Sequence, residues 1–220
     1  MSDLLNNIHD NLKLIFPEST KEQLVACYDN SSVYIAMEIA EYAHRSQKQL
    51  NGKPYVLHCY DCLRLYRDFV GIKEDDYFCV DVDMMYECGL PFDGVQEVCM
   101  LHDVIEDSEL RIEDVATIYE ELNLKTYFNL YIRNPLLLIT HDKNVDYNEY
   151  LLEVLKDPIS AMVKAMDLTN NMNLLRLVRI KENDVERLFK YIKCFLAVEN
   201  TYGFIEKVAV YNKKKNNTPK

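Results

Sequence analysis

Val33-Tyr34-Ile35-Ala36-Met37-Glu38-Ile39-Ala40-Glu41-Tyr42-Ala43 sets Ile35, Ala36, Ile39, Ala40 and Ala43 at spacings of three and four, which places them on one face of a helix. The same spacing returns far along the chain at Val185, Leu188, Phe189, Ile192 and Leu196, and it recurs almost everywhere between. The fold class this predicts is all-α. Helices are expected near 2–16, 20–28, 31–49, 57–69, 74–89, 94–106, 111–122, 124–131, 133–140, 146–156, 158–180 and 184–200. The clearest break is Asn51-Gly52-Lys53-Pro54, where glycine permits a positive φ and proline disfavours helix in the residue before it. The chain must therefore turn between a helix carrying His44 and one carrying His58.

The 220 residues are 49% hydrophobic, enough for a substantial core, and only five glycines and six prolines punctuate them. No linker or solenoid repeat stands out, so one main domain is expected over 31–211, with an N-terminal helical extension over 1–30 packed on it. The segment 212–220, polar with three consecutive lysines, reads as a disordered basic tail. A formal charge of −11 argues against a surface that coats nucleic acid, since phosphate-backbone binding needs a basic face. No secretory leader or bilayer-spanning run is evident, which reads as a cytoplasmic protein without membrane partners. Seven scattered cysteines fit reduced, buried thiols better than a disulfide framework, and Cys59-x-x-Cys62 beside His58 is too short a motif to define structural zinc alone.

Chemistry concentrates in Met100-Leu101-His102-Asp103-Val104-Ile105-Glu106-Asp107. On a helix His102 lies above Glu106 and Asp103 above Asp107, so three carboxylates crowd one imidazole with no cation before Arg111. A divalent ion is the simplest external source of positive charge, because neutral imidazole and carboxylate oxygen are both good ligands for such ions. His58, after the Pro54-Tyr55 turn, and Asp167, in Val163-Lys164-Ala165-Met166-Asp167, could complete the set. Two imidazoles and two carboxylates neutralise a divalent ion and leave room for water, whereas a closed structural site more often uses thiolates. Alternatives stay open on the residues alone: His58 as a helix-start histidine, Asp167 as an ion-pair partner of Lys164, and Glu106 with Asp107 as solvated acids.

Four blocks in order, Ala43-His44-x-x-Gln47, Asn51-Gly52-Lys53-Pro54-Tyr55-x-x-His58, Leu101-His102-Asp103-x-x-Glu106-Asp107 and Val163-Lys164-x-x-Asp167-x-x-x-Asn171-Met172, resemble the HD-domain metal-dependent phosphohydrolases. Within them the chain is most similar to the RelA/SpoT-type guanosine bis(diphosphate) 3′-pyrophosphohydrolases and their small single-domain relatives. The resemblance implies a single HD-domain helical bundle with one divalent ion, usually manganese, on His58, His102, Asp103 and Asp167. Glu106 and Asp107 would orient and deprotonate the attacking water. Asn171 would contact the nucleotide, and Thr140-His141-Asp142-Lys143 with Tyr147 would lie beside the substrate, Lys143 meeting phosphate. Gln49, Lys53 and Tyr55 fall in the substrate-binding block, and His44 and Lys164 would support the ligands from behind. The chain departs from the pattern at Gln49, where these hydrolases carry an arginine that stacks on guanine, and glutamine supplies no such cation–π contact. Cys59 stands in place of a proline and Leu168 in place of an arginine. The expected activity is hydrolysis of a nucleotide phosphate or pyrophosphate ester, with the guanosine alarmone as the leading substrate. A different nucleotide or a silent nucleotide-binding regulator are the alternatives. The partner expected is a small-molecule nucleotide, and self-association into a homo-oligomer is left open.

Overall fold

The computed structural model describes residues 3–4, 6–8, 28–72 and 82–217, and every regular element among them is helical. The helices are α1 (Tyr28–Ala43), α2 (Val56–Phe69), α3 (Val82–Cys88), α4 (Val95–Leu101), α5 (Val104–Asp107), α6 (Ile112–Glu121), α7 (Arg133–Ile139), α8 (Tyr147–Val154), α9 (Pro158–Asn171), α10 (Glu182–Tyr202) and α11 (Phe204–Asn217). A one-turn helix (Lys125–Tyr127) and a π-helical stretch (Phe128–Ile132) lead into α7, and a 3₁₀ turn (Leu174–Arg176) follows α9. The fold is an all-α, single-domain bundle. The expected helices at 2–16 and 20–28 and the start of 74–89 lie largely outside the described residues, although Leu4 and Ile8 are buried. None of the described helices is long and apolar enough to cross a membrane.

The bundle is organised around α4, which packs against α1, α2 and α9. Of its residues only Gln96 escapes burial, so α4 has no solvent face. Apart from Gln96 and the buried Glu97 its residues are apolar, which suits a central helix, and each large apolar side chain buried there contributes about 1.5–3 kcal/mol. Gly94, just before α4, has φ 79°, and a Cβ added to it would stand 2.3 Å from the Tyr131 carbonyl oxygen. That carbonyl is four residues before Pro135, which has no N–H to give it in an α-helical register, and the π-helical stretch falls there. Pro135 and Gly94 are thus two halves of one close approach.

Other boundaries follow capping chemistry. Asp157 accepts from the Ser160 amide at 2.8 Å and Pro158 takes the first helical position, which starts α9. Between α1 and α2 the Asn51-Gly52 turn forms as expected, with Gly52 at φ 82° and Gln49 N–H donating to the Lys53 carbonyl at 2.8 Å.

Three expectations are corrected. The helix expected over 94–106 is interrupted by a turn at His102-Asp103, where Asp103 keeps a right-handed backbone at φ −98°, ψ −6° and its carbonyl accepts from the Asp107 amide at 2.9 Å to start α5. The helix expected over 158–180 ends at Asn171, because Asn173 accepts from the Leu175 amide at 3.0 Å and starts a new turn. The segment expected to be disordered from 212 is helical to Asn217: α11 is anchored by buried Phe204 and Val208, and Lys214 and Lys215 near its C-terminus favour the helix dipole.

Gly94→Ala tests the Gly94–Tyr131 contact. The backbone conformation alone costs about 1–3 kcal/mol, and overlap with a carbonyl adds to it. Gly52→Ala, at a similar φ but with nothing within 4 Å of an added Cβ, should lose less. Urea unfolding of the two variants measures the difference, and equal midpoints would mean the close approach does not constrain the fold.

Candidate metal centre

His58 enters from α2, His102 and Asp103 from the turn after α4, and Asp167 from α9, so the three helices in mutual contact each deliver part of one cluster. His58 Nε2 lies 3.2 Å from Asp167 Oδ1 and 3.5 Å from Asp103 Oδ2. His102 Nε2 lies 3.2 Å from Asp103 Oδ2, 3.9 Å from Asp167 Oδ1 and 3.3 Å from His58 Nε2. Ligands about 2.0–2.2 Å from one ion stand roughly 3–3.5 Å apart in octahedral or tetrahedral geometry, so the donor set fits a divalent cation. The thiols of Cys62 and Cys59 also come within 4.8 Å of these ligand atoms. Burial pushes both thiols up, with Asp103 and Asp167 adding to it at Cys59 and Asp167 at Cys62.

The electrostatics show what holds the cluster together. Burial alone would discharge His102, but Asp103 and Asp167 outweigh it and hold its pKa at about 9. Burial also works against Asp103, and the two imidazoles overcome it and keep the carboxyl well below its usual range. Asp167 is likewise lowered against burial, chiefly by Lys164 Nζ, 2.9 Å from its Oδ2. His102 is oriented from behind, its Nδ1 lying 2.8 Å from the Cys99 carbonyl, which leaves Nε2 for the cluster.

Around the cluster, Tyr55 donates its hydroxyl to Asp103 Oδ2 at 2.7 Å and stands 3.5 Å from Asp107 Oδ2, linking a candidate ligand to a candidate base. Asn171 donates to Asp167 Oδ1 at 2.5 Å. His44 is buried against the Tyr55 ring, with Nδ1 2.7 Å from Gln47 Oε1. Gln47 in turn donates to the Asp107 carbonyl. Glu106 faces another way, its Oε2 accepting from the His141 amide at 3.1 Å, which fastens the 140–146 loop. Lys143 is exposed in that loop and Lys53 in the 47–55 turn, and no described contact brings either to the cluster. Tyr147 is paired instead with Lys190, 3.4 Å from its ring centroid, and more distantly with Lys164.

Arg176 is the residue sequence reading missed. Its guanidinium meets Gln49 Oε1 at 3.3 and 3.4 Å, Asn171 Oδ1 at 3.2 Å and His58 Nδ1 at 3.1 Å. Asn170 was also passed over, and its amide lies 2.9 Å from the same Nδ1. Nothing in Leu174-Leu175-Arg176-Leu177 marks the arginine out, because it reaches the site through a 3₁₀ turn the expected continuous helix did not contain. Arg176 lines a cavity of about 320 Å³ with Lys48, Gln49, Tyr55, Asn171, Arg187 and Tyr191. No acid lines it, in a chain whose formal charge is −11.

No protein-family model and no curated protein matches the chain. A solved structure of a metazoan ortholog of SpoT, described as hydrolysing ppGpp and playing a role in starvation responses, is similar to it with a TM-score of 0.53 and 17% identity. The likeness covers 84% of this chain and 95% of that one. At that identity it shows the fold, and the all-α, single-domain bundle expected is the architecture observed.

His102→Ala should abolish tight binding of a divalent ion, because it removes one donor and leaves Asp103 without the imidazole 3.2 Å away. Metal content of purified wild type and variant, with circular dichroism to confirm the fold, checks this. Equal content in both would remove His102 from the ligand set.

Proposed function

We propose that this chain is a metal-dependent phosphohydrolase acting on a nucleotide phosphate or pyrophosphate ester, with guanosine 3′,5′-bis(diphosphate) and its 3′-pyrophosphate as the leading substrate. The observation that carries the reading is a divalent-ion donor set sharing Tyr55 and Asn171 with a cavity lined by cations. Manganese is the ion proposed, since two imidazoles and two carboxylates suit it. When bound there, a divalent ion would polarise a phosphoryl oxygen and acidify water.

The residues of the chain divide the remaining work. Asp107 is exposed at the mouth and Tyr55 spans the gap from it to Asp103, which suits Asp107 to take a proton from the attacking water. Glu106 fixes the 140–146 loop through the His141 amide, and its other oxygen is proposed to turn towards that water once the ion is bound. Lys143, in that loop, is proposed to meet a phosphate once substrate enters, and Tyr147 to border it. Lys53 is proposed to add charge at the opposite rim. Tyr191, Leu50 and Leu177 give the cavity walls that a base can lie against.

Asp107→Asn and Glu106→Gln should each lower turnover by about 100-fold or more, the usual scale of general acid–base catalysis, with metal content unchanged. Product analysis of the manganese-loaded protein with ppGpp, its adenine analogue and ordinary triphosphates tests the substrate. Turnover of the others but not ppGpp would reassign it to another nucleotide, and loss of metal in either variant would move that acid into the ligand set.

Arg176 changes the reading of Gln49. The cation these hydrolases carry at that position is supplied here by Arg176, which already holds the glutamine oxygen, so Gln49→Arg would set two guanidinium groups together. Arg176 also bears on His58. An imidazole that offers its Nε2 lone pair carries its proton on Nδ1, and Arg176 has only donors to present there. For His58 to become a ligand, Arg176 must turn away and the Asn170 amide, the other donor at Nδ1, must turn its oxygen there; the anionic substrate in the adjoining cavity is the partner proposed for Arg176. Arg176→Ala should therefore raise KM for a nucleotide substrate tenfold or more, the scale of about 1.5–3 kcal/mol for a hydrogen bond to a charged group. Metal affinity should stay the same or rise. Steady-state kinetics with metal titration separates the two, and a loss of metal affinity with KM unchanged would make Arg176 a support of His58 only.

A further inference from the structure

The apolar stripe of α10 on which its helical periodicity rests faces the solvent. Val185, Phe189, Ile192 and Leu196 are 44, 61, 39 and 52% exposed, while Cys194 and Val198, on the opposite side, are buried where α10 packs against α9. At 3.6 residues per turn the four exposed side chains form one continuous strip along the helix, and Val178 and Ile180 just before it are exposed too. Singly exposed apolar residues are ordinary, but a helix apolar on two faces has a partner for each.

We propose that the outer face of α10 is the interface of a homodimer, in which α10 of a second copy packs on it antiparallel about a two-fold axis. The strip is self-complementary. Val185 and Leu196 stand equally far from its midpoint, as do Phe189 and Ile192, so antiparallel pairing sets Val185 on Leu196 of the second copy and Phe189 on Ile192. A two-fold interface requires this, because the same patch must serve both subunits. The charges beside the strip agree. Glu186 and Lys193 are exposed, lie on the same flank, and have no ion-pair partner among the described residues. Antiparallel copies bring each Glu186 towards Lys193 of the other, because a two-fold axis perpendicular to the helices sets each flank against the same flank of the second copy. Arg187 and Tyr191 line the cavity from the other sides of the helix, so pairing leaves both cavities open.

Sedimentation of the full chain over a range of concentrations tests this. The 25.9 kDa chain should sediment as a dimer, and Phe189→Glu should raise its dissociation constant by about tenfold or more, the scale of losing a buried aromatic anchor, with helicity unchanged. Glu186→Lys alone should weaken the dimer, and Glu186→Lys with Lys193→Glu should restore it, a rescue that a general loss of stability would not give. A wild type that stays monomeric at every concentration overturns the proposal. So does a dimer indifferent to Phe189→Glu, which would place the contact on another face, or a double variant no stronger than the single one.

Discussion

Two carboxylates, Asp167 buried and Asp103 half-buried, set between two imidazoles are the constraint on which the rest of this structure depends. Charges taken out of water cost several kcal/mol each unless they are paired and hydrogen-bonded, so Asp103 and Asp167 can sit between α2, α4 and α9 only if the helices deliver His58, His102 and Lys164 to them at the same time. That requirement fixes the relative placement of three helices more tightly than apolar packing would. It also explains why α4 is so completely enclosed: a helix with no solvent face is a rigid mount, and the turn at its end projects His102 and Asp103 from a fixed position. Gly94 at its start, pressed against the Tyr131 carbonyl, fixes the other end.

Without an ion the cluster balances itself. Protonated His102 and Lys164 match Asp103 and Asp167, so the buried group carries no large excess charge. A divalent ion that displaces the His102 proton leaves the cluster one unit more positive, directly beside a cavity whose lining already includes Lys48, Arg176 and Arg187. On the proposed reading, metal and anionic substrate would then be linked through electrostatics as well as through shared residues. A chain that is strongly acidic overall can still draw in a phosphate this way, because field lines in a low-dielectric cleft follow the local charges and not the net one.

The sequence disclosed what is local and what is contained in ordered blocks. Periodicity announced the helices, Asn51-Gly52 announced the turn, and the His102-Asp103 block announced the cluster, because each depends on neighbours along the chain. Arg176 was not legible: its role depends on Asn173 ending α9 and turning the chain back towards His58, a three-dimensional consequence with no signature in spacing. The break at His102-Asp103 was hidden for a related reason. The flanking residues favour helix, and Asp103 itself keeps a right-handed backbone, so the break is a turn of two residues that periodicity does not register.

The α10 stripe shows the limit of periodicity as a guide to burial. Val185, Phe189, Ile192 and Leu196 obey the same three-four rule as Ile35, Ala36, Ile39 and Ala40, yet the second set is buried and the first is exposed. Spacing reports that a face is apolar and says nothing about what covers it. In α1 the cover is α4 of the same chain. In α10 the core-facing side is made by less regular residues, Tyr191, Cys194, Phe195 and Val198, which meet α9 and the aromatic residues around Tyr147. Among the described residues of one chain nothing covers the more regular stripe, so its spacing alone does not say whether it belongs to the core.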